Sequence, residues 1–208
     1  MNPRTVPTFA LAAAVVVLAA PSLAAAATWD IDSSHSAAQF SVRHLMISNV
    51  RGELGKVTGS VMFDGQDVAG IAVDATIDVT AIDTREPKRD EHLRSPDFFD
   101  VAKYPTMTFK SKRSEKVGAG KFKLVGDLTL HGVTKEVTLD VEGPTPEMKD
   151  PWGNVRVGAT ATTKINRKEF GLNWNAALET GGVVVGDEVS ITLDVEAVKK
   201  KEEAAPAK

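Results

Sequence analysis

Apolar and polar residues alternate along most of this chain, and the stretch DLTLHGVTKEVTLDV, residues 127–141, shows the pattern most plainly. Leu128 and Leu130 share one face. Beyond His131-Gly132, Val133, Val137, Leu139 and Val141 share one face, and Lys135 interrupts that row. A period of two describes a strand with one apolar side and one wetted side. The pattern predicts a hairpin that turns at His131-Gly132, with Thr129, Glu136, Thr138 and Asp140 toward water. The same alternation places Ala38, Phe40, Val42 and His44 on one side of AQFSVRHL, and Val57, Gly59, Val61 and Phe63 on one side of GKVTGSVMFD. GIAVDATIDVTAID sets Ile71, Val73, Ala75, Ile77 and Val79 against Asp74, Thr76, Asp78 and Thr80. TMTFKSKR, KFKLVGDLTL, VRVGATATTKIN and EVSITLDVEAV follow the same rule. With Gly, Asp, Asn and Pro between them, these segments predict about eight strands.

One segment departs from the period. The charged first half of residues 83–105, DTREPKRDEHLRSPDFFDVAKYP, predicts a short helix that begins near Pro87 and stops before Pro96. A sheet wet on one side needs its other side covered, and one short helix is too little to cover it. A sandwich and a closed barrel both meet that need. The short connections favour an up-and-down barrel. The small residues Ala38, Ala75, Gly126, Ala159 and Ala161 on the apolar faces favour one with room inside. The expected class is all-β, a single antiparallel barrel with one short helix in a connection.

The ends of the chain bound this domain. Residues 1–27 carry Arg4, an apolar run from Phe9 to Ala20, Pro21 and then small residues. That is the layout of a secretory signal peptide, and the run is too short to span a bilayer. The expectation is export to the periplasm, with no transmembrane segment in the mature chain. KKKEEAAPAK, residues 199–208, reads as a disordered charged tail, which leaves residues 28–198 as one domain. There is no cysteine, so disulfides, thiol redox chemistry and thiolate metal sites are excluded. The formal charge is −3, and −4 once Arg4 is removed with the leader, which argues against nucleic acid as a partner.

Candidate chemistry is sparse. The four histidines, His35, His44, His92 and His131, are scattered and form no metal-binding motif, and no Gly-rich phosphate loop or GxSxG is present. Neither a metal nor a cofactor is expected. Most carboxylates on the strands fall on the wet faces. His44 shares the phase of Phe40 and Val42, so it either offers a hydrogen bond inside the barrel or ends its strand bonded to backbone. Phe98 and Phe99 lie between Pro96 and Pro105, and read equally as a lid over the barrel mouth or as a structural plug. Phe170, Leu172 and Trp174 have the same two readings.

Five blocks in order carry a resemblance: WDIDSSHSAAQFSVRHL, REPKRDEHLRSPDFFDVAKYPTMTF, GDLTLHGVTKEVTLDV, DPWGNVRVGATATTKINRKEFGLNW and GDEVSITLDVEA. Together they resemble the YceI family over nearly all of residues 28–198. The resemblance implies a lipocalin-like barrel, periplasmic in members of this type, that binds a long apolar molecule such as a polyisoprenoid or isoprenoid quinone in a tunnel. Each CH₂ taken from water contributes about 0.8 kcal/mol, so a greasy tunnel suffices and no covalent chemistry is needed. The expected lining is Phe40, Val42, Val61, Phe63, Ile77, Val79, Phe98, Phe99, Phe109, Leu128, Leu130, Leu139, Ile191 and Leu193. The expected polar mouth is His35, His44, Arg85, Arg94 and Arg167, with arginine suited to a diphosphate. Two other classes stay open. One is a stress-response or structural interaction protein with a filled core, and the other is an enzyme acting on a lipid-like substrate. Oligomeric state is open too.

Overall fold

A computed structural model describes residues 26–65, 67–179 and 181–201. The expected leader therefore lies outside the described residues except for Ala26 and Ala27, and so does the tail beyond Lys201. The strands are β1 (Ala27–Ile31), β2 (Ala37–His44), β3 (Ser48–Glu53), β4 (Lys56–Phe63), β5 (Ala72–Asp78), β6 (Thr106–Gly118), β7 (Lys121–Leu130), β8 (Val133–Glu142), β9 (Met148–Lys149), β10 (Val155–Asn166) and β11 (Val185–Lys199). One helix, α1 (Pro87–Arg94), sits between β5 and β6.

All eleven strands join one antiparallel sheet, and β10 pairing with β11 closes it. The closed ring runs β11, β1, β4, β5, β6, β7, β8, β10 and back to β11, which makes an eight-stranded barrel. The meander expected from the sequence holds from β4 to β8 and fails at the start of the chain. β11 is 15 residues long, roughly 50 Å at about 3.3 Å per residue. That length lets one edge of β11 serve two strands in turn. Its residues 197–199 pair with β1, and its residues 185–194 pair with β2. The chain therefore passes from β1 to β2 along the same neighbour, and β3 hangs on β2 at an end of the sheet. β9 lies at the other end. The pairing also reaches one residue past each expected boundary. Ala27 opposes Phe63, and Lys199, expected in the tail, opposes Trp29.

The hairpin of residues 127–141 is a two-residue turn between Leu130 and Val133. His131 and Gly132 both have positive φ, 51° and 74°, as a turn matched to strand twist requires. Leu128, Leu130 and Leu139 are buried and Val137 packs against them, while Glu136, Thr138 and Asp140 are exposed. The long run expected from Gly70 to Asp83 is shorter than its alternation suggests. At Asp78 the carboxylate accepts from the Thr80 amide at 3.0 Å, and residues Val79–Ala81 coil into a 3₁₀ turn. Asp favours such local bonds over strand pairing.

α1 starts at Pro87 and is stopped by Ser95 before Pro96. Its Asp90 is buried and accepts from the amide of Thr84 at 2.8 Å and from its hydroxyl at 2.5 Å. Arg89 grips the same Thr84 from outside the helix axis, Nε to Oγ1 at 2.7 Å and Nη2 to the carbonyl at 3.0 Å. These bonds tie the helix to the chain entering it, and the segment that follows folds back on the helix, the Phe99 amide donating to the Leu93 carbonyl at 2.9 Å.

Candidate functional site

The barrel interior holds two apolar cavities arranged end to end. The first, about 230 Å³, lies under α1 and beside the β2–β3 hairpin. The second, about 140 Å³, fills the far half. Met107, 2% exposed, contributes to the wall of both, so the two meet at its side chain. A cavity with walls as apolar as those of the second stays dry and accepts apolar guests.

The expected tunnel lining divides between them. Phe40, Val42, Phe98, Phe99, Leu130 and Ile191 face the first cavity. Val61, Phe63, Ile77, Phe109, Leu128, Leu139 and Leu193 face the second. Val79 faces neither. It begins the 3₁₀ turn, where the strand's alternation no longer points it inward, and it is packed at 1% exposure. Of the small residues, Ala75, Ala159 and Ala161 border the second cavity. Gly126 leaves no space: a β-carbon there would stand 2.6 Å from the Phe109 ring and 2.5 Å from the Lys110 carbonyl oxygen. Phe109 has taken the room that the glycine vacates.

The expected polar mouth is only partly assembled. His44 and Arg167 line the first cavity. Arg94 does not, because its guanidinium is spent on the backbone, Nε to the Thr80 carbonyl at 2.8 Å and Nη2 to that of Ile82 at 2.6 Å. Arg85 sits exposed on a turn with φ of 62°. His35 lies on the outside of the barrel, bonded through Nδ1 to Asp32 at 2.9 Å. Leu172 and Trp174, read from the sequence as lid or plug, line the first cavity, and sequence reasoning missed Arg43, Arg89 and His92 there. Arg43 lies on the outward phase of β2, so alternation assigns it to water. It is placed at the mouth by the hairpin turn, where its Nη2 donates to the Met46 carbonyl at 2.7 Å. That turn puts Leu45 and Met46 at φ of 50° and 60°, in the left-handed region that favours Asn and Gly. Across the cavity, His92, Phe98 and Trp174 form an aromatic cluster with ring centres 4.9–5.2 Å apart.

Arg167 is buried at 3% exposure. Its Nε donates to the Gly186 carbonyl at 2.9 Å, Nη1 to that of Leu172 at 2.5 Å and Nη2 to that of Val185 at 3.5 Å. Asp187 approaches no nearer than 3.8 Å. Burial pulls the Arg167 pKa below its ordinary value.

Among the described residues one group has metal-ligand geometry. Asp32, His35 and Glu196 bring a ligand atom each within 4.8 Å of one another. Arg156 already supplies the cation there, with Nη1 2.7 Å from Asp32 and 2.5 Å from Glu196, and Nε 2.8 Å from Asp150. This knot joins the end of β1, the 150–154 turn, β10 and β11. The Ser34 hydroxyl, then Arg156 and His35, hold the Asp32 carboxyl well below the usual carboxylate range. Burial pushes the Asp150 carboxyl up, but hydrogen bonds from Arg156, Asn154 and Trp152 outweigh it and set its pKa at about 2. A carboxylate with a depressed pKa stabilises the fold above its unfolded value near 4 and loses that contribution as pH falls through its folded value. The melting temperature is therefore expected to fall as pH drops from about 4 to 2. Arg156→Met is expected to melt lower at neutral pH, with its difference from the natural protein shrinking over that same interval. A difference independent of pH, in thermal melts followed by circular dichroism, refutes the assignment.

Comparison with known proteins agrees with this architecture. The profile of the YceI-like domain matches residues 29–197. A UPF0312 protein of Vibrio parahaemolyticus is 36% identical over 189 residues, covering 89% of this chain and 94% of the relative. The crystal structure of the Campylobacter jejuni YceI protein superposes with a TM-score of 0.65 at 33% identity, over 76% of this chain and 90% of that one. A polyisoprenoid-binding domain from Saccharophagus degradans, implicated in plant cell wall breakdown, shares the fold with a TM-score of 0.61 at 17% identity, over 84% of this chain and 99% of that domain.

Proposed function

Because the chain belongs to the YceI-like domain family, we propose that it binds one long apolar molecule of the isoprenoid type, lengthwise in the barrel. The observation that carries this reading is the pair of apolar cavities meeting end to end inside a closed ring of strands. A chain of isoprene units is long, thin and apolar along its length, which suits two compartments in line better than a single round pocket. At about 0.8 kcal/mol per buried CH₂, a chain of twenty or so carbons gains enough to stay bound without any covalent step. Among the described residues no carboxylate lines either cavity, which leaves an enzymatic reading without a carboxylate acid–base pair. The polyisoprenoid-binding domain of the same fold is consistent with the ligand class.

A carrier for such a molecule has its use where water separates two membranes. The leader-like residues 1–27 support export to that compartment. No helix among the described residues is long and apolar enough to cross a membrane. One experiment tests binding and export together. The protein is expressed with its own N-terminus in a bacterial host, recovered from the periplasm, weighed intact, and extracted with organic solvent for mass spectrometry. The expected results are a mature N-terminus within about two residues of Thr28 and one apolar molecule per protein chain. A full-length chain in the cytoplasm refutes export, and an extract with no stoichiometric lipid refutes the carrier.

A further inference from the structure

The two cavities differ in charge. Among the described residues the second carries no ionisable side chain on its wall. The described residues of the first include three guanidiniums, Arg43, Arg89 and Arg167, and two imidazoles, His44 and His92, with no carboxylate among them. Each of the three arginines is held in place by neutral oxygens. Arg43 donates to the Met46 carbonyl and, at 3.5 Å, to the Asn49 side chain. Arg89 donates to Thr84 through Nε and Nη2. Arg167 donates to three backbone carbonyls. Among the described residues no acid lines the cavity, and the acid closest to a lining guanidinium is Asp187, whose Oδ1 stands 3.8 Å from Arg167 Nη2. Asp90 accepts from Thr84, Asp97 pairs with His92 at 2.9 Å, and Asp187 pairs with Lys168 at 2.9 Å. Neutral acceptors fix the direction of a guanidinium without cancelling its charge. Arg167 is buried, where its charge is weakly screened, Arg89 is half-buried, and Arg43 is exposed at the mouth, where solvent screens it more. Arginine also matches phosphate and carboxylate oxygens with paired N–H donors.

We propose that the ligand carries an anionic head group, a phosphate or carboxylate at the end of its apolar chain. Arg43, Arg89 and Arg167 hold that head in the first cavity, and the chain runs past Met107 into the second. This rests on the reading of the barrel as a binder of long apolar molecules, and it adds a direction and a head-group class. A neutral alcohol of the same chain leaves the guanidiniums facing a weak acceptor and binds less well.

The test compares heads on identical chains. The delipidated full protein is titrated with geranylgeranyl phosphate and geranylgeraniol, and with palmitate and hexadecanol, all below their aggregation limits. Binding is read from tryptophan fluorescence, since Trp174 lines the first cavity. The phosphate or the carboxylate is expected to bind at least about tenfold more tightly than its matching alcohol. Arg43→Met and Arg89→Met are each expected to lower that ratio, with the sheet signal in circular dichroism intact. Arg167 also braces three carbonyls, so the proposal is tested on the other two. Inorganic phosphate in excess is expected not to displace the chain-bearing probe. Displacement by inorganic phosphate indicates a free-anion site and overturns the proposal. Alcohols that bind as well as their anions, or a ratio that both variants leave unmoved, overturn the head-group assignment alone. If no probe of either kind binds, the chain-binding reading falls and this proposal falls with it.

Discussion

Leu139→Lys is expected to cost more than about 4 kcal/mol and to abolish lipid uptake, while Thr138→Lys beside it changes stability by no more than about 0.5 kcal/mol. Leu139 is 6% exposed and borders the second cavity, which among the described residues has no ionisable group on its wall. A lysine there either buries an unpaired ammonium or gives up its proton, and both cost heavily. Thr138 is exposed on the same strand, and what the sheet uses of it is its backbone, including the carbonyl that accepts from Thr163 at 2.8 Å. The lysine side chain leaves that bond intact. Denaturant titration of the two variants gives the stabilities, and lipid extraction gives the occupancy. Equal tolerance of both lysines, with lipid still bound, refutes the assignment of an inner and an outer face to β8.

The second large effect concerns Phe98 and Phe99. Replacing both with Ala is expected to lower stability by more than about 3 kcal/mol, because each ring is buried and packed. Phe98 is 7% and Phe99 8% exposed, and Phe98 lies against Trp174 and His92. Both also line the first cavity, so the double variant opens that cavity toward solvent and speeds ligand release. Burial on this scale makes the pair part of the packed fold as well as a wall of the site. A double variant that keeps its denaturation midpoint and loses only ligand retention shows instead a lid that rests on the barrel without supporting it.

The inner face was legible in the sequence because the strand period is a property of the backbone. Every expected lining residue on a regular strand faces one of the two cavities, and the one that misses, Val79, lies where Asp78 bends the chain into a 3₁₀ turn. The polar end was poorly legible, because turns and helix packing place it, and neither obeys alternation. Arg43 has an outward phase and reaches the mouth through a hairpin turn, and Arg89 arrives with α1. Arg85 and Arg94 come from the same segment as Arg89, yet one faces solvent and the other caps backbone carbonyls. Their difference depends on how the helix sits, which a one-dimensional pattern does not contain. The doubling of β1 and β2 along β11 escaped for a similar reason. Periodicity marks β11 as a strand, but its capacity for two neighbours in line follows from its length and from the hydrogen bonds of β2.

The closed ring also governs how copies of this chain meet each other. A free strand edge is a template for pairing with another chain, and closure removes it. Among the described residues the strand order ends at β3 and β9. β9 is two residues long, and β3 is six residues that include Arg51 and Glu53. Short, charged edges of this kind offer little backbone to an incoming strand. Copies of the chain are therefore expected to meet at these two edges mainly through side chains, in encounters that respond to salt.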